Sequence, residues 1–273
     1  MTFNFKHDVL HITMVLLDVG QMSSLKNGLK ILSLFSTSRP ILRVGEVCRE
    51  LGIPKSSVSR LMKTLDECDF IERAPYDTGY LPGIMALRVA DHYISGRSLL
   101  RQVDAAIAEL IAEFHFVGYV ASLSGTEIII LSAKLGSHPL RLLHGVGERL
   151  PTLPTAMGIT LLSRENEVTV SDIVMATKEC GVERQLAIEA IRSARENGYF
   201  RIEHGAYPGV EAIGAAVHDV ARGEKLALAI SYPKDAVDED MINKMIRSVL
   251  DAVAQIGKSV GDRYWIEFNR VDN

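Results

Sequence analysis

The chain is short of cysteine, of tryptophan and of long apolar runs, and these shortages remove whole classes of protein. Its 273 residues hold three cysteines, Cys48, Cys68 and Cys180, none in a CxxC or other metal-ligand spacing. An odd, scattered set offers no disulfide framework and points to a reducing, cytoplasmic setting. No segment approaches the roughly 20 apolar residues of a membrane span. The longest candidate, Val9–Leu17, is interrupted by His11 and Thr13 and flanked by Asp8 and Asp18, with no basic lead or cleavage site. Residues 1–22 therefore read as a loose arm, or alternatively as a dimerisation strand. There is no HExxH and no Gly-x-Ser-x-Gly elbow, and the eight histidines are scattered. Gly145-Val146-Gly147 is too short for a phosphate loop. Glu203 and His204 are a poor acid–base pair, because neighbours on a strand point to opposite faces. No catalytic residue, cofactor or metal site is expected, and an enzyme is disfavoured.

Excess positive charge is also missing: the net charge is −4, which at first argues against a nucleic-acid binder. The charge is uneven, however. Residues 23–82 carry nine Lys or Arg against seven acids, a net +2, which leaves −1 for residues 1–22 and −5 for residues 83–273. A basic module on an acidic body fits a DNA reader that carries a second, non-DNA domain. Apolar residues are plentiful at 47%, enough for a substantial core and for two domains.

Ser23–Ser38 reads as a helix with Ser24 as N-cap and Leu25, Leu29, Leu32 and Ile31 or Phe35 on its apolar side. Pro40 prevents continuation. A second helix, Val44–Leu51, stops at Gly52, which tolerates a left-handed turn. Pro54 suits the first turn of a third helix running to about Cys68. Val47, Leu51, Ile53, Val58 and Leu61 must pack together, with Cys48 small where the helices cross. This spacing predicts a helix-turn-helix. Lys55, Ser56, Ser57, Ser59, Arg60 and Lys63 remain outward, and hydroxyls and long cations are the groups that contact base edges and phosphates. Caps and solvated surface charge are the competing reading of those residues. It weakens because a hairpin follows: Phe70–Arg73, a turn over Pro75–Gly79, and Tyr80-Leu81. A hairpin after the recognition helix is a wing, from which Arg73, Tyr76 and Thr78 reach the flanking backbone or the minor groove. Arg43, at the start of the second helix, is a further candidate DNA contact.

With these residues in place, the sequence resembles the IclR family of bacterial transcriptional regulators. The resemblance lies in Leu29-Lys30-Ile31-Leu32, in Leu51–Leu61 and in Phe70-Ile71-Glu72-Arg73. It continues through Gly79–Gly83, Pro139–Leu142, Gly147–Pro151, Thr155-Ala156-Met157-Gly158, Gly198-Tyr199, Pro208-Gly209-Val210 and Ala229-Ile230-Ser231. It covers about residues 23–262. It implies a winged helix-turn-helix over residues 23–82, a linker helix over 83–97 and an effector-binding, oligomerisation domain over 98–265. It also implies dimers or tetramers on a pseudo-palindromic DNA operator and control by a small metabolite.

In the remainder, Gly83–Gly96 reads as a helix with Ile84, Leu87, Ala90 and Ile94 on one stripe, and Ser98–Phe114 as a stronger amphipathic helix. Phe116–Ser124 and Glu127–Ala133 read as a hairpin and Leu140–His144 as a third strand. Thr155–Leu162 and Val182–Asn197 read as helices, Val210–Val217 and Lys225–Ser231 as strands, and Asp238–Trp265 as containing a closing helix. The expected class is α+β, an antiparallel sheet flanked by helices, and the resemblance makes it GAF-like. The helix starting near Thr155 presents a positive end suited to a carboxylate. The resemblance places this segment, Pro151-Thr152-Leu153-Pro154 leading into Thr155, Ala156, Met157 and Gly158, at an effector pocket. By position it adds Leu142, Leu150, Ala212, Ala229 and Ser231, with Glu203 in the run after Gly198-Tyr199. Family members often carry an acidic run there and a cysteine where Ala212 stands, and proline is usual where Ala216 stands. These departures predict a less polar pocket for a small carboxylate or semialdehyde, with Ser231 as the polar holder. The expected function is a repressor released by such a metabolite. An activator responding to an aromatic acid, or a metal-sensing variant, is the alternative.

Overall fold

The computed structural model describes residues 24–36, 39–139, 144–177, 184–203 and 208–268. The expected arm 1–22, Leu142 and most of the expected strand Leu140–His144 lie outside them. The chain divides into two compact units, residues 1–96 and 97–273. No helix among the described residues is long and apolar enough to cross a membrane.

In the first unit, α1 (residues 24–32), α2 (Val44–Leu51) and α3 (Lys55–Glu67) enclose a core of Ile31, Leu42, Val47, Val58, Met62, Ile71 and Tyr80. The face of α1 differs from the expected one. Ile31 is buried, whereas Leu25 and Leu29 are 68% and 58% exposed. The inward stripe is Gly28, Ile31 and Phe35, and Leu32 is half-buried at its margin. Gly52 ends α2 at φ 63°, a left-handed turn open to glycine, and Pro54 is the N-cap of α3. Cys48 is half-buried against the core. β1 (Ile71–Arg73) and β2 (Tyr80–Pro82) pair antiparallel, with Arg73 opposite Tyr80. Leu42 exchanges two backbone hydrogen bonds with Tyr80, at 2.9 and 2.8 Å, which fastens the wing to the segment before α2. α4 (Ile84–Ser95) closes the unit with no buried residue, and its Ile84, Leu87 and Ile94 are exposed.

The second unit is a six-stranded antiparallel sheet. Its strands are β3 (Val117–Ser124), β4 (Glu127–Leu135), β5 (Arg149–Pro151), β6 (Phe200–Ile202), β7 (Val210–Asp219) and β8 (Glu224–Pro233), in the order β5-β4-β3-β8-β7-β6. The alternation of β7 and β8 gives the sheet two different faces. Ile213, Ala215, Val217, Leu226, Leu228, Ile230 and Tyr232 pack with α5 (Ser98–Phe114) and α9 (Glu239–Val260). Tyr119, Ala216, Ala227 and Ala229 pack with Met157 and Leu161 of α6 (Ala156–Leu162). The small residues on this second face leave the room that later proves to be the cavity. Beyond α6 lie α7 (Glu167–Ala176), which the sequence reading passes over, and α8 (Arg184–Asn197). The short α10 (Arg263–Glu267) closes the chain, and Trp265 in it is buried and donates to the Ala216 carbonyl at 2.9 Å. On the β3–β4 side the sheet is extended by β5, which pairs antiparallel with β4.

Candidate DNA interface and effector cavity

The outer face of α3 carries Lys55, Ser56, Ser59, Arg60 and Lys63, all exposed, while Val58 and Met62 are buried on the opposite side. Ser57 is half-buried at the edge of that face. Lys63 lies 3.5 Å from Glu67, one turn on. The Arg60 guanidinium has no acceptor among the described residues. An unpaired arginine on the outer face of a second helix matches the geometry that reads a guanine edge.

The wing sorts its candidates. Tyr76, at 102% exposure, stands clear of the protein, and Thr78 is exposed beside it. Arg73 lies over the Tyr80 ring at 4.1 Å and reaches the Thr78 carbonyl at 3.5 Å, so its charge stays at the hairpin. Arg43 is held within the protein. Its Nε donates to Asp77 Oδ1 at 3.0 Å, its Nη2 pairs with Asp77 Oδ2, and its Nη1 donates to Glu46 at 3.1 Å. The Asp77 carboxylate also accepts the Gly79 N–H at 2.8 Å. The Arg43 bonds hold the Asp77 carboxyl below its ordinary range and raise that of the guanidinium.

In the second unit a cavity of about 150 Å³ opens between the start of α6 and strands β5, β7 and β8. Seven expected residues, Leu150, Thr155, Ala156, Met157, Ala212, Ala229 and Ser231, are on its wall. Ala212 lies directly across from Ser231, and Ser231 makes no hydrogen bond through its hydroxyl among the described residues. Thr155 is the N-cap of α6: its Oγ1 accepts the Gly158 N–H at 3.0 Å and donates to the Thr152 carbonyl at 3.0 Å.

Two expected residues are not on the wall. Gly158 is buried beneath it, where an added Cβ would stand 2.0 Å from the Thr152 carbonyl oxygen, so it shapes the cavity by close approach. Glu203 turns to Arg201 at 3.9 Å and is half exposed. Leu142 lies outside the described residues. Pro151 and Pro154, in the expected segment before α6, are also on the wall, whereas the sequence reading missed Tyr119, His144, Ile202 and Val210, as well as the Glu211 position. Strand alternation sends the Glu211 side chain to the other sheet face, where it pairs with Arg201 at 2.9 Å and accepts from the Tyr232 hydroxyl at 3.2 Å. The described wall contains no Lys or Arg. His144 Nδ1 lies 2.9 Å from Glu148.

A helix-turn-helix unit followed by a separate sheet-and-helix unit is the layout that the comparisons with known proteins bear out. The model of the IclR helix-turn-helix domain matches residues 24–75, and that of the bacterial transcriptional regulator IclR C-terminal domain matches residues 91–258. The chain belongs to the IclR family. It is 24% identical over 250 residues to the transcriptional repressor IclR of Escherichia coli K12, covering 89% of this chain and 91% of that one. It is 25% identical over 244 residues to the HTH-type transcriptional repressor AllR of Salmonella paratyphi A, covering 87% and 90%. An IclR homolog from Microbacterium hydrocarbonoxydans, solved in complex with 4-hydroxybenzoate, shares the fold. Its TM-score is 0.73 at 16% identity, over 87% of this chain and 99% of that one. This IclR-family chain is thus a transcriptional regulator with a helix-turn-helix DNA-binding domain. The two named relatives are transcriptional repressors, and no cluster of three or more metal-ligating side chains occurs among the described residues.

Proposed function

We propose that this regulator is a repressor whose hold on a pseudo-palindromic operator is released when a small carboxylate or semialdehyde fills the cavity beside Ser231. The observation that carries this reading is the cavity itself: largely apolar walls, a Ser231 hydroxyl with no hydrogen bond among the described residues, and a volume of about 150 Å³. Cavities of about that size in other proteins accept a single benzene ring, so acids of a few carbons, or one ring, fit. The relatives named as repressors support the sign of regulation. An aromatic acid, acting on an activator, is the second reading. It is favoured by the same volume and by the 4-hydroxybenzoate held by the Microbacterium protein.

The exposed Leu25 and Leu29 of α1 and Ile84 and Leu87 of α4 support self-association as a dimer or tetramer. Two recognition helices would then meet half-sites about one helical turn apart, or a multiple of it. A gel shift with the DNA upstream of the chain's own gene tests DNA binding, and no shift at low salt would sink the proposal. A thermal-shift panel of glyoxylate, pyruvate, succinate semialdehyde, benzoate and 4-hydroxybenzoate tests the effector. A ligand at about 100 times its dissociation constant adds roughly 2.7 kcal/mol. The binder must also release the operator.

A further inference from the structure

We infer that the dipeptide Glu224-Lys225, at the start of β8, couples occupancy of the cavity to the root of the linker helix α4. This rests on the reading of the cavity as the effector site.

Two elements that wall the cavity meet again at their other ends. α6 brings Thr155, Ala156 and Met157 to the wall at its start, and β8 brings Ala229 and Ser231 near its end. Away from the cavity, both lead to Lys225. The chain leaves α6 through a tight turn, in which the Arg164 and Glu165 amides donate to the Leu161 and Leu162 carbonyls, each at 3.0 Å. Arg195 stiffens that turn by donating to the Ser163 and Glu165 carbonyls at 3.0 and 3.1 Å. The Glu165 carboxylate then meets Lys225 Nζ at 2.6 Å. β8 is an inner strand, paired with β7 from Glu224 to Pro233 and with β3 from Ala227 to Ser231. Bonded along both edges, it moves as one piece.

Strand alternation turns the neighbour of Lys225 to the other face of the sheet. Glu224 lies on the side of Leu226 and Leu228, which pack with α5 and α9. There its Oε1 accepts from Arg97 Nη1 at 2.6 Å. Arg97 precedes α5 and directly follows Gly96, which ends α4. Adjacent residues thus pin the far end of α6 on one face and the entry to α5 on the other. The Lys225, Glu165 and Glu224 side chains are 21%, 16% and 10% exposed, so these pairs are screened less than surface pairs. A ligand seated between α6 and β8 displaces one against the other. The Glu165–Lys225 pair carries that displacement to Glu224 and Arg97, where the linker begins.

Coupling is reciprocal: if occupancy loosens the hold on DNA, DNA must alter the elements of the cavity. The test therefore needs no identified effector. It uses the full chain and a duplex selected from a random pool by the wild type. Amide hydrogen exchange is followed by mass spectrometry with and without saturating duplex. In the wild type the duplex should change exchange in Ala156–Leu162 about twofold or more. Every residue of α6 is buried, so DNA does not touch it. Lys225→Met and Glu224→Gln should each cut that change by about half or more. A purely structural role would raise exchange with and without duplex alike and leave their ratio at the wild-type value. If Lys225→Met does not fold, Glu224→Gln, which keeps the size of the side chain, decides alone. A wild-type ratio in the folded variants overturns the coupling role and leaves the cavity reading intact, since release of the operator by an acid tests that reading separately. An α6 that does not respond to the duplex in the wild type overturns the coupling role in the same way. Failure of the wild type to select any duplex overturns it together with the DNA-binding reading.

Discussion

Arg43, which precedes α2, and Asp77, in the wing turn, grip each other through two parallel contacts, one of them Nε to Oδ1 at 3.0 Å. The pair joins segments 34 residues apart, so the wing is tied both to the start of the helix-turn-helix and to Leu42 through the backbone. It also neutralises a cation that the sequence assigns to DNA.

Removing Asp77 should therefore expose that cation. In Asp77→Ala, the salt dependence of DNA binding should steepen by up to about one, the increment for one added phosphate contact. Fluorescence anisotropy against a labelled duplex across a salt series measures the slope. An unchanged slope would show that Arg43 does not reach the backbone even when released.

Arg60 is the opposite case, a guanidinium on the exposed face of α3 with no partner among the described residues. Arg60→Ala should cost on the order of 1–3 kcal/mol of operator affinity and relax base preference at one position. Lys63→Ala should weaken all sequences alike, since a phosphate contact carries no base information. Equal loss on specific and random duplexes in Arg60→Ala would place Arg60 on the phosphates instead.

The first unit is legible in sequence because its turns depend on particular residues. Gly52 ends α2, Pro54 caps the start of α3 and Gly79 precedes β2, whereas α1 stops at residue 32, short of the expected Ser38 and well before Pro40. The face of α1 is less legible. Leu25, Leu29 and Leu32 form as good a stripe as Gly28, Ile31 and Phe35, and periodicity does not say which apolar side meets the core. α7 escapes notice because its apolar residues fall on several sides, although Asn166 capping the Thr169 amide at 2.9 Å is a signal that could have found it. β5 and β6, at three residues each, are too short for alternation to register. The cavity wall is half visible. The resemblance supplies Ala212, Ala229 and Ser231, but His144 and Tyr119 become neighbours only when β3 and the loop before β5 come together. Glu203 matches the resemblance by position yet leaves the wall, because Arg201 draws it away.

The cavity can be closed without touching the DNA-binding unit. Ala212→Leu adds three carbons opposite Ser231. It should abolish release by an effector acid and leave operator affinity in its absence within about twofold. Burying the added carbons should raise stability by up to about 2 kcal/mol. Gel shifts with and without the acid, together with urea melts, measure both. Normal release at the wild-type acid concentration would place the effector elsewhere.

The second unit should also lose stability in mild acid through His218. Burial, and then the charge of Lys225 opposite it on β8, lower the pKa of this imidazole below 6.5. Arg164 acts in the same direction as Lys225, while Asp262 and Glu165 oppose them. In the unfolded chain His218 should titrate near its ordinary value of about 6.5. As the pH falls through that value, the unfolded chain takes the proton before the folded one does. Stability must therefore fall with pH across the window between about 6.5 and the lower folded value. The melting temperature should drop from pH 7.5 to pH 5.5, and by less in His218→Gln, which has no proton to gain. The other histidines act equally in both proteins, so the difference between the two slopes isolates His218. Identical slopes would mean that the folded protein protonates this ring as easily as the unfolded chain does, and that neither burial nor Lys225 restrains it.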